Sequence, residues 1–423
     1  MNSMEKPSQI QLQRLEAMYA SRARAFSLPP GNIHITSILD DILLLQPKLP
    51  LLPNLITLNW NELSGNMASD EAYAALFMHD GVRAFKIMHD SVSTAFPDLV
   101  QHSPAWDSAR RIVFFGHISE RMPNLDTLGV FLRAEPDLKK PLLELIGTLP
   151  RLRIVILPGF SDPIAVFSKI QDCCDLEQVS FSIDLPYRYQ PTSVVTQLTS
   201  ISPLAFHKLE ALSLSCGLGL ASSILRHLFS HNPRRLINVA MVSELKKTPF
   251  EVQKLCEITA QVGNRLKKLC LVGLQFYHPS HTSYVSSENV VHFEDIKPIV
   301  ECSNLESFEL GYPFDLPWQE KGSIALAWPR LKNVGFYVFY AINPEDTNAV
   351  KVRTLRLIIQ KALLGRNISD SKEDILSIHN TFNSINAFPM THALVRVIMF
   401  LQLLHLIFVL MLPDSSQKSG KVL

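Results

Sequence analysis

The chain has 423 residues, enough for two or three ordinary domains or one long repeat array. Hydrophobic residues make up 47% and charged residues 19%, which excludes an intrinsically disordered chain. A formal net charge of +1 leaves no electrostatic case for nucleic acid as the main partner.

Residues Met1 to Pro7 lack the apolar core of a secretory signal. Residues 1–50 read as an N-terminal helical cap. Ile10, Leu12, Leu15 and Met18 fall at helical spacing. After the Pro29-Pro30-Gly31 break, Leu39, Ile42, Leu43 and Leu45 form a second apolar face.

Residues 51–340 carry a recurring phrase: a small or polar residue, then Leu, two variable residues and an apolar-x-apolar pair. It reads Pro53-Asn54-Leu55-Ile56-Thr57-Leu58-Asn59-Trp60 and again Pro123-Asn124-Leu125-Asp126-Thr127-Leu128. Further copies centre on Leu152, Leu176, Leu209, Leu236, Leu266, Leu305 and Leu331. Amphipathic helical segments precede most of them, for instance Leu138 to Leu149, Pro163 to Cys173 and Pro249 to Val262. The alternating part of the phrase is a strand, and its inward residues cannot be buried within one unit. The expected fold is therefore α/β: a leucine-rich-repeat-like solenoid with parallel strands on a concave face and helices on the convex face. From Leu125 on the leucines are spaced 24 to 39 residues apart, wider than the 20 to about 29 of regular repeats, so the array is degenerate. Ala109 to Phe115 reads as one more strand.

Residues 341–390 form a C-terminal helical segment, with helices expected over Pro344 to Leu364 and Asp370 to Ile385. Residues 391–423 are an apolar helix and a polar tail. Ala393 to Leu412 has the length of a membrane span but contains Arg396, Gln402 and His405. Two readings stand for it: a cap that closes the array, or a tail anchor that makes the chain a membrane-bound scaffold.

Chemical motifs are few. No GxSxG elbow, HExxH, P-loop or EF-hand loop is present, so no catalytic residue is assigned. Gly217-Leu218-Gly219 follows a strand and precedes a helix, but Ser222 stands where a dinucleotide loop needs a third glycine, so no cofactor is assigned either. His278, His281 and His292 lack further ligands at metal-binding spacing, so no metal is assigned. His79-Asp80 and His89-Asp90 read as polar pairs on an exposed helical face. The six cysteines read as reduced, packed thiols; the vicinal pair Cys173-Cys174 is also a candidate redox switch. An enzyme on an α/β scaffold remains a rival reading without a nucleophile or metal to support it.

What the strands display is then the candidate site. Outward positions hold Asp126, Arg153, Glu177, Gln178, Glu210, Lys267, Lys268, Glu306, Glu309, Lys332 and Tyr337. Their charges alternate in sign, which suits a polypeptide partner better than phosphate or lipid.

The phrases Leu52 to Trp60, Met122 to Leu128 and Leu149 to Leu152, with the helix end Tyr19-Ala20-Ser21-Arg22, resemble fungal (basidiomycete) F-box proteins with degenerate leucine-rich repeats. The resemblance covers Leu12 to Tyr340. It implies a non-enzymatic, cytoplasmic or nuclear substrate receptor of a ubiquitin ligase, binding a protein ligand. Such proteins open with an F-box of about forty residues that docks on the Skp1 adaptor of a cullin ligase. No segment of that kind precedes Gln9, so Skp1 and cullin are expected partners only with an F-box upstream.

Overall fold

The computed structural model describes residues 10, 13–14, 16–28, 33–45, 50–61, 67–88, 108–132, 134–160, 162–182, 201–202, 205–231, 235–243, 248–273, 290–312, 314–315, 327–338 and 353–354. Of the helix expected over 344–364 only residues 353–354 are described, and they form a short strand paired antiparallel with 337–338, not helix, their backbone groups bonding to the sheet edge instead. The helix expected over 370–385, the apolar run 393–412 and the His278-His281 loop lie outside the described residues.

Strands and helices alternate. The strands are β1 (Ala25–Ser27), β2 (Thr57–Asn61), β3 (Ala84–Met88), β4 (Thr127–Phe131), β5 (Ile154–Pro158), β6 (Gln178–Ser182), β7 (Ala211–Ser215), β8 (Asn238–Ser243), β9 (Lys268–Gly273), β10 (Val291–His292), β11 (Ser307–Gly311), β12 (Phe314–Asp315), β13 (Asn333–Val338) and β14 (Arg353–Thr354). The helices are α1 (Ile33–Leu44), α2 (Met67–Ala75), α3 (Ser108–Arg121), α4 (Pro136–Gly147), α5 (Pro163–Ile170), α6 (Leu218–His231), α7 (Pro249–Ala260) and α8 (Phe293–Val300). One sheet takes the strands in chain order, skipping only β10 and β12, which pair with each other. Every pairing from β1 to β13 is parallel; β14 closes the order antiparallel to β13. Consecutive helices pack together from α1 to α5 and again from α6 to α8. The architecture is α/β, dominated by a parallel sheet.

Local sequence explains the helix starts. Pro136, Pro163 and Pro249 each open a helix, where a missing N–H costs nothing. The Asp162 carboxylate accepts from the Ala165 N–H at 3.1 Å. Thr248 and Glu251 form a capping box around the start of α7. Each satisfies a donor that the first helical turn leaves unpaired.

The core lies between the sheet and the helices. In register across the strands, Phe85, Leu128, Val155, Val179, Leu212, Val239, Leu269 and Phe308 stand side by side. All are buried in one cluster with helix residues such as Phe114, Leu142, Phe167, Ile224, Leu255 and Ile296. The leucines of the phrase join the same cluster, and each fully buried one contributes about 1.5–3 kcal/mol by leaving water.

The structure departs from the sequence reading in the strands as well. Ala109 to Phe115 is helix, the first half of α3, not strand. Phe114, Phe115, Ile118 and Met122 point inward at helical spacing, while Ile112 and Val113 are 53% and 48% exposed. The strand of that unit is β3, where Val82 takes the place of Leu and is fully buried. The sheet also begins earlier than expected, at β1, inside the segment read as a helical cap.

Candidate binding surface

A regular backbone ladder runs along the edge where each strand begins. One carbonyl in each unit accepts two N–H groups from the next. Arg153 O takes Glu177 N and Gln178 N; Glu177 O takes Glu210 N and Ala211 N. The same pattern links Arg24, Ile56, Arg83, Asp126, Arg153, Glu177, Glu210, Ile237, Lys267, Glu306 and Lys332. Each residue immediately follows the Leu, Ala or Val that anchors its unit.

Seven of the charged residues singled out in the sequence occupy this ladder: Asp126, Arg153, Glu177, Glu210, Lys267, Glu306 and Lys332. The sheet edge brings them together, and several neutralise one another. Arg153 Nη2 donates to Glu177 Oε1 at 2.7 Å and Oε2 at 2.8 Å. Glu306 lies between Lys332, at 2.7 Å, and Lys267, at 4.0 Å. Below this row, the turns are stitched by asparagines. Asn54, Asn124 and Asn304 each donate a side-chain N–H to a carbonyl of the preceding unit, those of Ser21, Asp80 and Asn264. Lys208 and Asp175 pair at the same level.

The remaining candidates lie on the strands. Gln178 and Lys268 open β6 and β9, Glu309 is central in β11, and Tyr337 is in β13 opposite Thr354. Cys270 Sγ donates to Glu309 Oε2 at 3.8 Å.

The sheet face turned away from the helices has a different chemistry from its edge. Its middle row, in register, reads Asn59, Lys86, Gly129, Ile156, Ser180, Ser213, Ala240, Cys270, Glu309 and Gly335. Ile156 is only 1% exposed yet stands outside the core cluster. A shallow groove crosses β4 to β8 here, over Phe131, Ile156, Gln178, Ser180, Ser213, Asn238 and Ala240. Among the described residues no imidazole and no charged group lines it. Gln178 Nε2 donates to Ser180 Oγ at 3.4 Å, and Asn238 Oδ1 is buried without a partner. Hydroxyls and amides with apolar neighbours can hold a peptide backbone or a neutral side chain.

The sequence reading missed Lys86, Asn59, Asn238 and Phe131. Lys86 stands on the strand next to the groove with Asn59 beyond it, and the signal for Lys86 was the alternation Val82-Arg83-Ala84-Phe85-Lys86-Ile87. His79 proves to be a turn residue, not part of an exposed helical face: its Nδ1 accepts from Gly81 N–H at 3.0 Å, and Nε2 lies 3.1 Å from Leu52 O. His89 and Asp90 are outside the described residues. Burial pushes the Cys173 thiol up to about 11, which disfavours the thiolate that redox chemistry needs.

Among the described residues no group of three His, Cys, Asp or Glu side chains could hold a metal, and no helix is long and apolar enough to cross a membrane. No protein-family model matches the chain, and no curated protein matches it.

Proposed function

We propose that the chain is a non-enzymatic binding protein, a degenerate leucine-rich-repeat solenoid whose helix-free face receives a polypeptide. The observation that carries this reading is the division of polar groups between edge and face. Several charges at the strand entries pair with one another along the stack. The face beside them presents an uncharged groove of amides, hydroxyls and apolar side chains. Protein interfaces have that composition at their centre, where charged residues are depleted. Sequential parallel strands, each bonded to the unit before it, support the solenoid part of the proposal. The resemblance to the substrate-recognition part of F-box proteins fits a receptor role in the cytoplasm or nucleus. No disulfide joins any of the six cysteines, which suits such a reducing compartment.

The test is site-specific photo-crosslinking in cells. A photoreactive residue at Ser213, in the groove, should yield polypeptide adducts. The same residue at Lys140, on the outer side of α4, should not. Equal adducts from both positions, or none from Ser213, would overturn the proposal. Co-purification of Skp1 and cullin tests the ligase part of the resemblance separately.

A further inference from the structure

The ladder residues Arg153, Lys267 and Lys332 all have carboxylate partners. Lys86 does not. It stands on the helix-free face of β3, in the strand next to the groove, and is partly buried. Among the described residues no carboxylate pairs with it and no acceptor takes its ammonium. Its stem lies across Gly129: a Cβ on that glycine would come within 3.0 Å of Lys86 Cγ and 3.1 Å of Phe131 Cε2. The lysine is thus directed along the face, toward the Phe131 end of the groove. Loss of water around it lowers its pKa from the ordinary lysine value, so a counter-charge there would be favourable.

Two acceptors on the same face are also unmet. Asn59 Oδ1, beside Lys86 in register, and Asn238 Oδ1, at the far side of the groove, are both buried without a hydrogen bond among the described residues. Buried polar atoms without partners are uncommon in folded proteins, and each costs free energy until a donor arrives. Lys86 and these two acceptors call for one anion and N–H donors. A nucleic acid brings many phosphates and wants many cations, so it does not fit. A polypeptide with a single acidic side chain does.

We propose that this face takes an extended acidic peptide, with an Asp or Glu carboxylate on Lys86 and a backbone or side-chain N–H donated to Asn238. The peptide runs across the strands from β3 to β8. Five strand spacings of about 4.8 Å span about 24 Å, which an extended chain covers in about seven residues. This inference rests on the polypeptide-binding reading and adds the partner's chemistry and register.

The probe is a random 12-residue peptide library, selected by phage display against the full chain. Selected peptides are then titrated by fluorescence anisotropy. Peptides with a shared Asp or Glu are expected. Binding should weaken about tenfold with Lys86→Gln, or with the peptide acid changed to its amide, because a charge-assisted bond is lost. The peptide variant leaves the protein untouched, so a folding defect cannot produce the result. Peptides that lose binding with Ser213→Arg but carry no common acid, or ignore Lys86→Gln, would overturn this inference and leave the polypeptide-binding reading standing. Failure to select any peptide, or selection of peptides indifferent to Ser213→Arg, would overturn both.

Discussion

Arg153 clasps Glu177 with both Nε and Nη2, at 3.0 and 2.7 Å from Oε1, across adjacent turns of the stack. The two residues also share a backbone bond, since Arg153 O accepts the Glu177 N–H at 2.8 Å. Side chain and main chain therefore join the same two units. The pair is solvent-exposed, so a double-mutant cycle of Arg153→Ala and Glu177→Ala should give a coupling of only about 0.2–1 kcal/mol, shrinking in high salt. A coupling that does not change with salt would contradict the exposed geometry.

The leucine of each unit matters far more. Leu125 is fully buried beneath the turn that leads into β4. Leu125→Ala should cost about 2–5 kcal/mol, measured from the midpoint of urea unfolding, through lost burial and the cavity left behind. The same range is expected for Leu305→Ala, because Leu305 holds the equivalent place before β11.

Two glycines should respond with opposite signs. Gly263 has φ of +63°, in the left-handed region, and its carbonyl accepts from Leu266 N. Gly263→Ala should destabilise by about 1 kcal/mol. Gly116 lies within α3, and a Cβ there would meet nothing within 4 Å. Gly116→Ala should stabilise by about 0.5–1 kcal/mol. Changes of the same sign in urea melts of the two variants would contradict one of these placements. Phe206 occupies the slot equivalent to Gly263, also at positive φ. Its edge-on contact with Phe167, centroids 5.5 Å apart, helps to hold a conformation that non-glycine residues rarely adopt.

Thiol chemistry separates neighbours in sequence. Cys174 is exposed, whereas the other five cysteines are buried. A thiol reagent at pH 8 should label Cys174 alone in the folded chain, checked by mass spectrometry. Rapid labelling of Cys173 would contradict its burial. Cys173 and Cys302 both have pKa values raised to about 11 from 9.0 by desolvation. The unfolded chain releases these protons first, so the stability they lend is fully present below pH 9 and is lost as pH rises toward 11. Cys302→Ala should flatten part of that alkaline decline in urea melts.

Thr248→Ala removes half of the capping box on α7 and should cost about 1 kcal/mol. Thr248→Ser keeps the hydroxyl and should recover most of it. Equal losses in urea melts of the two variants would place the effect elsewhere.

Much of the fold was legible because the Leu slot tolerates only an apolar residue. Leu55, Leu125, Leu152, Leu176, Leu209, Leu236, Leu266, Leu305 and Leu331 all prove buried before strands. Where another residue fills that slot the unit escaped notice. Val82 before β3 and Ala23 before β1 lack the leucine signal, although their strands alternate as the others do. The apolar run Ile112 to Phe115 suggested a strand because short runs carry no periodicity that separates helix from strand. The surface was harder to read. Sequence alternation names the outward residues, but it cannot tell the strand entry, where Arg153 and Glu177 neutralise each other, from the face itself. Nor does it reveal which polar groups, such as Lys86 and Asn238, are left without a partner.

The most direct test of a polypeptide-binding face compares affinities for a polypeptide captured through the groove crosslink. Isothermal titration should show at least about a tenfold loss for Ser213→Arg, which fills the groove centre, and no change for Lys140→Gln on α4. Equal affinities for Ser213→Arg and the unmodified chain would contradict a binding role for this face.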